Sequence, residues 1–333
     1  SLQTTGGWKE LARTTWSSGN SFTVSSIPDK RYLMVLNYTD SASNYNNIMR
    51  FNSDTSLIYA WRRSQNGESP DGTTKINTNS IASNGVGYDD FGFSVNYIAN
   101  LSNKEKLTIN HACDTGGVGS TVAPDRQEVV GKWTNTTDSI DEITITTGSA
   151  NYNLGETVVL GWDPADTHTT NFWEELASAN ATGSELSSGT FTAKKYLWVQ
   201  YFIKPTGGTV NGKIHLNDDT GNNYADRLGY ESGESTHNPH GNWFGYARGD
   251  GSTTHSAHLF CNMFIINNSS NEKLAIQHIV DTTTGAGSAP KRTEWVNKWV
   301  PTTNQQITKI DIDRDNGTGT YDSTSFIKVW GSN

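Results

Sequence analysis

The sequence predicts an all-β protein of two tandem homologous domains, each an antiparallel β-sandwich of jelly-roll type. A long internal repeat, short apolar segments that alternate with period two, and an aromatic-rich composition with little helical periodicity carry this prediction.

The repeat comes first. APDRQEVVGKW at residues 123–133 returns as APKRTEWVNKW at 289–299, with seven of eleven positions identical. WKEL at Trp8 returns as WEEL at Trp173, and KRYLMV at Lys30 as KKYLWV at Lys194. RFNSDTSLIYAWR at Arg50 returns as HLNDDTGNNYADR at His215, and EKLTINHACD at Glu105 as EKLAIQHIVD at Glu272. The offsets of 165, 164, 165, 167 and 166 residues drift so little that a tandem duplication explains them. This period is far longer than the roughly 20–50 residues of solenoid units, so each copy should own a complete core. The expected domains are 1–165 and 170–333, with the polar stretch from Asp163 to Thr170 as the seam.

Hydrophobic residues make up 33% of the chain and aromatic residues 11%, and the aromatics compensate for the polarity because each buries on the order of 150–250 Å². The net charge of −9, with no Lys/Arg cluster, argues against direct nucleic-acid binding. No apolar run approaches the roughly 18 residues that cross a bilayer, so membrane insertion is not expected. The opening Ser1 fits removal of an initiator Met and cleavage of a leader equally well. Cys113 and Cys261 fall at different places in the two copies, which excludes a shared disulfide framework.

The apolar segments are β-branched or aromatic and are bounded by Gly, Asn, Asp and Ser, giving about eight strands per copy. In LTINHAC the apolar phase is Leu107, Ile109, His111 and Cys113, which predicts core positions for His111 and its counterpart His278. FWEELASA could form a turn or two of helix. In the repeated Arg-x-Glu-x-Val-x-Lys-Trp, alternation sets Arg, Glu and Lys on one face, which predicts a salt-bridged outer face over a Trp-anchored core. The repeated Asn-x-Asp-Thr, at Asn52 and Asn217, reads as turn chemistry in preference to a metal site.

Candidate chemistry is sparse. His237-x-x-His240 and His255-x-x-His258, with Cys261 three residues on, are residue types that bind zinc, although residues three apart on a strand face opposite ways. Asp311, Asp313 and Asp315 before Gly317 superficially resemble a calcium loop without its final Glu. Zinc or calcium is therefore a low-ranking option and no cofactor is expected. No nucleophile elbow, Walker loop, dinucleotide fingerprint or zincin helix is present, so the chain is not expected to be an enzyme.

The repeated pattern of Trp-x-Glu-Leu, Lys-(Arg/Lys)-Tyr-Leu, Asn-x-Asp-Thr, Glu-Lys-Leu and Arg-x-Glu-x-Val-x-Lys-Trp resembles β-rich repeats in predicted structural proteins of bacteriophages and environmental viruses. The resemblance implies a virion or extracellular protein: a capsid or coat subunit, or a tail or fibre module, acting through self-assembly. Its partners would be further copies of itself, other virion proteins or a host-surface glycan. Two fused sandwiches offer the similar but non-identical edges that an assembly repeats. Trp61, Trp243, Tyr230 and Tyr246 are the contact candidates. The competing expectation is a secreted carbohydrate-binding protein that uses the same aromatics as stacking platforms. Trp61 aligns with Asp226 and Trp243 has no clear counterpart, which favours the structural role over a bivalent lectin.

Overall fold

The computed structural model describes residues 7–41, 43, 46–66, 73–84, 91–168, 170–230, 233–237, 242–247, 258–282, 286–287 and 289–333. It divides into two compact units. The first comprises the chain up to Gly117 together with Asp125–Phe172, and the second comprises Val118–Pro124 and Trp173–Asn333.

The first unit contains β1 (Lys9–Trp16), β2 (Ser21–Val24), β3 (Tyr32–Ser41), β4 (Asn47–Phe51), β5 (Tyr59–Gln65), β6 (Thr73–Thr78), β7 (Ile81–Asn84), β8 (Phe91–Ala99), β9 (Lys106–Asp114), β10 (Asp125–Trp133), β11 (Ile143–Thr146) and β12 (Tyr152–Trp162). One sheet has the order β1-β12-β3-β8-β9-β10-β5-β6 and the other β2-β11-β4-β7. Among these, β1 pairs with β12, β2 with β11, β3 with β8 and β4 with β7, alternating between the sheets. That is a long hairpin rolled up along its length, the jelly roll. Two hairpins, β5–β6 and β9–β10, extend one sheet from four strands to eight.

The second unit contains β13 (Glu174–Asn180), β14 (Glu185–Ser187), β15 (Tyr196–Ile203), β16 (Pro205–Thr206), β17 (Asn211–Leu216), β18 (Tyr224–Tyr230), β19 (Gly233–His237), β20 (Tyr246–Ala247), β21 (His258–Ile266), β22 (Lys273–Thr282), β23 (Lys291–Trp299), β24 (Ile310–Asn316), β25 (Thr320–Tyr321) and β26 (Phe326–Ser332). Its orders are β13-β26-β15-β21-β22-β23-β18-β19 and β14-β24-β17-β20, with β16 and β25 as a small added pair. Strand for strand this is the wiring of the first unit. The described strands number twelve in the first unit and fourteen in the second, more than the eight expected per copy. FWEELASA is extended, since Glu174–Asn180 pairs with β26 as the edge strand equivalent to β1. Tertiary pairing overrides the weak helical preference of Glu, Leu and Ala there.

The repeated motifs tie the two sheets of each unit together. Asn52 and Asn217 sit at φ 51° and 52°, a left-handed conformation that Asn tolerates better than most residues. Asn52 Oδ1 accepts from the backbone of Asp141 and Glu142, and its amide donates to Ser139 O. Asn217 does the same with Thr308, Lys309 and Gln306. Two residues on, Asp54 accepts the indole of Trp133 at 2.9 Å, and Asp219 that of Trp299 at 2.7 Å. Both indoles are fully buried, and the phenols of Tyr59 and Tyr224 donate to the carbonyls of Asp54 and Asp219. The motif is turn chemistry that anchors a Trp. Lys132 pairs with Glu105 at 2.9 Å and Arg126 with Glu128 at 3.6 Å on the face opposite Trp133, matching the salt-bridged strand read from the sequence.

The period-two reading of LTINHAC is correct in phase and reversed in direction. The core cluster of the first unit includes Leu33, Val35, Ile98, Val129 and Trp133. Register across β8, β9 and β10 places Thr108, Asn110 and Ala112 on that inward side, and Leu107, Ile109, His111 and Cys113 outward. His111 is therefore a half-buried residue of the outer face, with Nδ1 3.1 Å from Glu128 Oε1. Inside, fully buried Asn37, Ser94, Asn96 and Thr157 form a polar end of the sandwich, where Thr157 donates to Asn37 at 2.7 Å and Asn110 to Asn96. The second copy fills this space with Cys261, Met263 and Ile279, leaving Gln277 to donate to Tyr201 Oη at 2.6 Å.

Candidate functional site

The outer face of the first unit's eight-stranded sheet is the more apolar of its two faces at several strands. β8 directs Phe91, Phe93, Val95 and Tyr97 outward, and β3 directs Met34, Leu36 and Tyr38. An antiparallel sheet that faces water carries polar residues there, so an apolar outer face calls for cover. At one end of this face Leu107, Ile109 and Val130 are 56%, 51% and 53% exposed.

Beside them runs a groove of 470 Å³ lined by Trp8, Tyr32, Tyr97, Trp162, Leu107 and Ile109. Trp162 lies opposite Tyr32 in the β12–β3 register, and their rings stack at 5.5 Å and 24°. Trp8 precedes β1, while Tyr97 neighbours Ile109 across the β8–β9 pair. Burial pushes the Tyr97 phenol well above its ordinary value, so the ring meets any occupant uncharged. Ile109 is shared with a smaller pocket of 210 Å³ whose lining includes Arg62, Ser64, His111 and Glu128. The groove is suited to apolar side chains or rings; its polar neighbour supplies charge at one side.

The aromatics singled out in the sequence lie elsewhere. Trp61 is half-buried against the first core, opposite Gly131, where a Cβ would meet Ile81 and Thr108 at 2.9 Å. Tyr230 packs on the second core, and the ring of half-buried Trp243 carries Lys213 Nζ 4.0 Å from its centroid. Tyr246 belongs to β20 and its side chain lies outside the described residues. Trp8, Tyr32, Tyr97 and Trp162 were missed because they come from four segments that only the β1-β12-β3-β8 order brings together.

The metal readings need correction. His258 is exposed on the outer face of β21, whereas Cys261 is fully buried in the core, as their three-residue spacing on a strand requires. Burial pushes the Cys261 thiol up to about 12, which disfavours the thiolate a metal needs. His240 and His255 lie outside the described residues, as does the side chain of His237. Asp311, Asp313 and Asp315 are not a loop. They lie along one side of β24, where Lys309 holds Asp311 at 2.9 Å, His215 holds Asp313 at 2.8 Å and Lys213 holds Asp315 at 2.5 Å. Each carboxylate is committed to a basic side chain of its own, which leaves no converging ligand set.

Among the described residues no helix is long and apolar enough to cross a membrane. No family model and no curated protein matches the sequence. Among solved structures, domains LG4-5 of the mouse laminin alpha1 chain are 9% identical over 99% of this chain and 92% of that one, with a TM-score of 0.19. An outer membrane channel from Pseudomonas putida F1 is 11% identical over 87% of this chain and 97% of that one, with a TM-score of 0.13. Similarity at that level carries no argument about fold or function.

Proposed function

We propose that this protein is a non-enzymatic structural subunit of a virion, a coat or fibre component that works by self-association. The observation that carries the proposal is the open apolar end of the first unit's outer sheet face, where three aliphatic side chains stand more than half exposed beside an aromatic groove. Isolated exposed apolar residues are ordinary, but a contiguous patch on a sheet marks a contact surface. Jelly rolls serve as shell-forming units as well as lectins, and the repeated scaffold motifs supply the virion part of the reading. The doubled wiring gives one chain two related faces for repeated contacts.

A second reading, glycan binding, is favoured by the stacked Tyr32–Trp162 pair. Sugar recognition also needs convergent polar groups, and the groove is lined almost wholly by apolar and aromatic residues. Static light scattering of the purified protein, with negative-stain microscopy of the same sample, separates the two. Regular large particles or filaments are the expected result. A monodisperse monomer near neutral pH that binds oligosaccharide, with binding lost in Trp162→Ala, would replace the assembly reading with the second.

A further inference from the structure

Inside the two sandwiches the wiring is the same and the chemistry is opposite. In the first unit a row of inward positions crosses the large sheet: Thr157 on β12, Asn37 on β3, Ser94 and Asn96 on β8, and Asn110 on β9, with Ala112 opposite Ser94. The same register in the second unit holds Ile327, Tyr201, Cys261, Met263, Gln277 and Ile279. All of these side chains are buried. Each in the first unit is the smaller of its pair, most of all Asn37 for Tyr201 and Ala112 for Ile279. Across the interior Asn47 stands where the second unit has Gly212, which returns part of the volume. Its amide is already committed, donating to Thr39 Oγ1 at 3.2 Å and accepting from the Tyr152 phenol at 2.5 Å.

The row bonds along itself: Thr157 donates to Asn37 Oδ1, Asn96 to Ser94 Oγ at 3.4 Å, and Asn110 to Asn96 Oδ1. Among the described residues, the donor Asn37 Nδ2 and the acceptor Asn110 Oδ1 nonetheless reach no protein partner. Neither does the hydroxyl of Ser83, which β7 directs inward two residues after core Ile81. Polar atoms shut inside a protein are nearly always bonded. We infer that the first unit encloses a binding site for ordered water, seated on this row and bridging Asn37, Asn110 and Ser83. A metal ion would serve only the acceptor and an anion only the donors, whereas water does both, and complete burial excludes a larger ligand. In the second unit the larger side chains take up that volume and Gln277 donates to Tyr201, although Gln277 Oε1 also lacks a partner. The duplication has thus produced one core packed with carbon and one that holds solvent. This goes beyond the assembly reading and stands whether or not chains associate.

The test uses the full chain. Magnetic relaxation dispersion of the solvent counts waters held inside a protein for longer than it tumbles. It is recorded on wild type, on Ala112→Ile, and on a chain carrying three of the second unit's side chains, Asn37→Tyr, Ala112→Ile and Thr157→Ile, with thermal melting of each. The inference predicts a smaller dispersion amplitude in both variants, and Ala112→Ile melting at or above the wild-type temperature because its added carbons displace water. In an interior already close-packed with side chains, the same carbons force neighbours off their rotamers. Ala112→Ile that melts well below wild type, or does not fold, therefore overturns the inference. So does Ala112→Ile that folds and leaves the amplitude unchanged, because the waters counted then lie elsewhere. Should the triple variant fail to fold, Ala112→Ile alone decides.

Discussion

Trp299→Ala is expected to destabilise the second unit by roughly 3–5 kcal/mol, the usual cost of emptying a large aromatic site in a core. Trp299 is fully buried, stacks on Tyr224 at 18°, and donates its indole N–H to Asp219 at 2.7 Å. Asp219 also accepts from Gly221 N and Asn223, so the loss extends beyond the cavity to a turn whose carboxylate loses one of its partners. Against a domain stability of roughly 5–15 kcal/mol, this removes a large share. Trp299→Phe should cost less, about 1–3 kcal/mol, because most of the apolar volume remains and the indole bond is what goes. Chemical denaturation followed by far-UV circular dichroism measures both. A loss below about 1 kcal/mol in Trp299→Ala would show that the repeated Lys-Trp is not the core anchor described here.

Lys273→Met is expected to stabilise the protein near neutral pH and to flatten its stability between about pH 8 and pH 10.5. Lys273 is fully buried at the start of β22, with its ammonium donating to Asn271 O at 2.5 Å. Desolvation lowers its pKa from 10.5 to about 8, opposed by the nearby Glu272 carboxylate. Because the folded value lies below the unfolded one, the unfolded chain binds the extra proton between those two pH values. Stability therefore rises with pH through that window, and the penalty is fully present below it. A shift of this size corresponds to roughly 3 kcal/mol, of which the methionine variant recovers part while giving up the bond to Asn271. Urea midpoints at pH 7 and pH 10 decide the matter: the gap between wild type and variant should narrow at the higher pH. A gap that widens would contradict a lysine held against its charge. Its counterpart Lys106 is better satisfied, with carbonyls of Ser102, Lys104 and Asn135 around its Nζ and the Trp133 ring 5.4 Å away.

How much of this was legible in the sequence depends on whether a signal was local or needed the strand order. The repeat follows from spacing; the β class and the positions of Asn52, Arg126, Glu128, Lys132 and Trp133 follow from spacing and alternation, and the structure shows the β class and these positions. Alternation identifies two faces of a strand without saying which one is inside. In β9 the apolar phase of Leu107 and Ile109 points outward while the polar phase of Thr108 and Asn110 faces inward, where Asn110 donates to Asn96. That inversion misdirected the reading of His111, and it also creates the open patch. The groove aromatics Trp8 and Tyr32 recur in the second copy as Trp173 and Tyr196, a repetition that marks the duplication without pointing to a cleft. Only the β1-β12-β3-β8 order places Trp8, Tyr32, Tyr97 and Trp162 around one cleft. Of the metal candidates, His258 and Cys261 diverge because they lie three apart on a strand, and the carboxylates two apart on β24 each meet a separate basic side chain.

Hydroxyl-radical footprinting of the assembled protein against the same protein diluted to its dissociated form tests the central claim most directly. Side-chain oxidation rates follow exposure, so contact residues should be protected on assembly while exposed residues away from the patch, such as Ile76, are not. The account predicts protection at Tyr32, Leu107 and Ile109 together. Assembled protein in which these side chains oxidise as fast as in the dissociated form would contradict it.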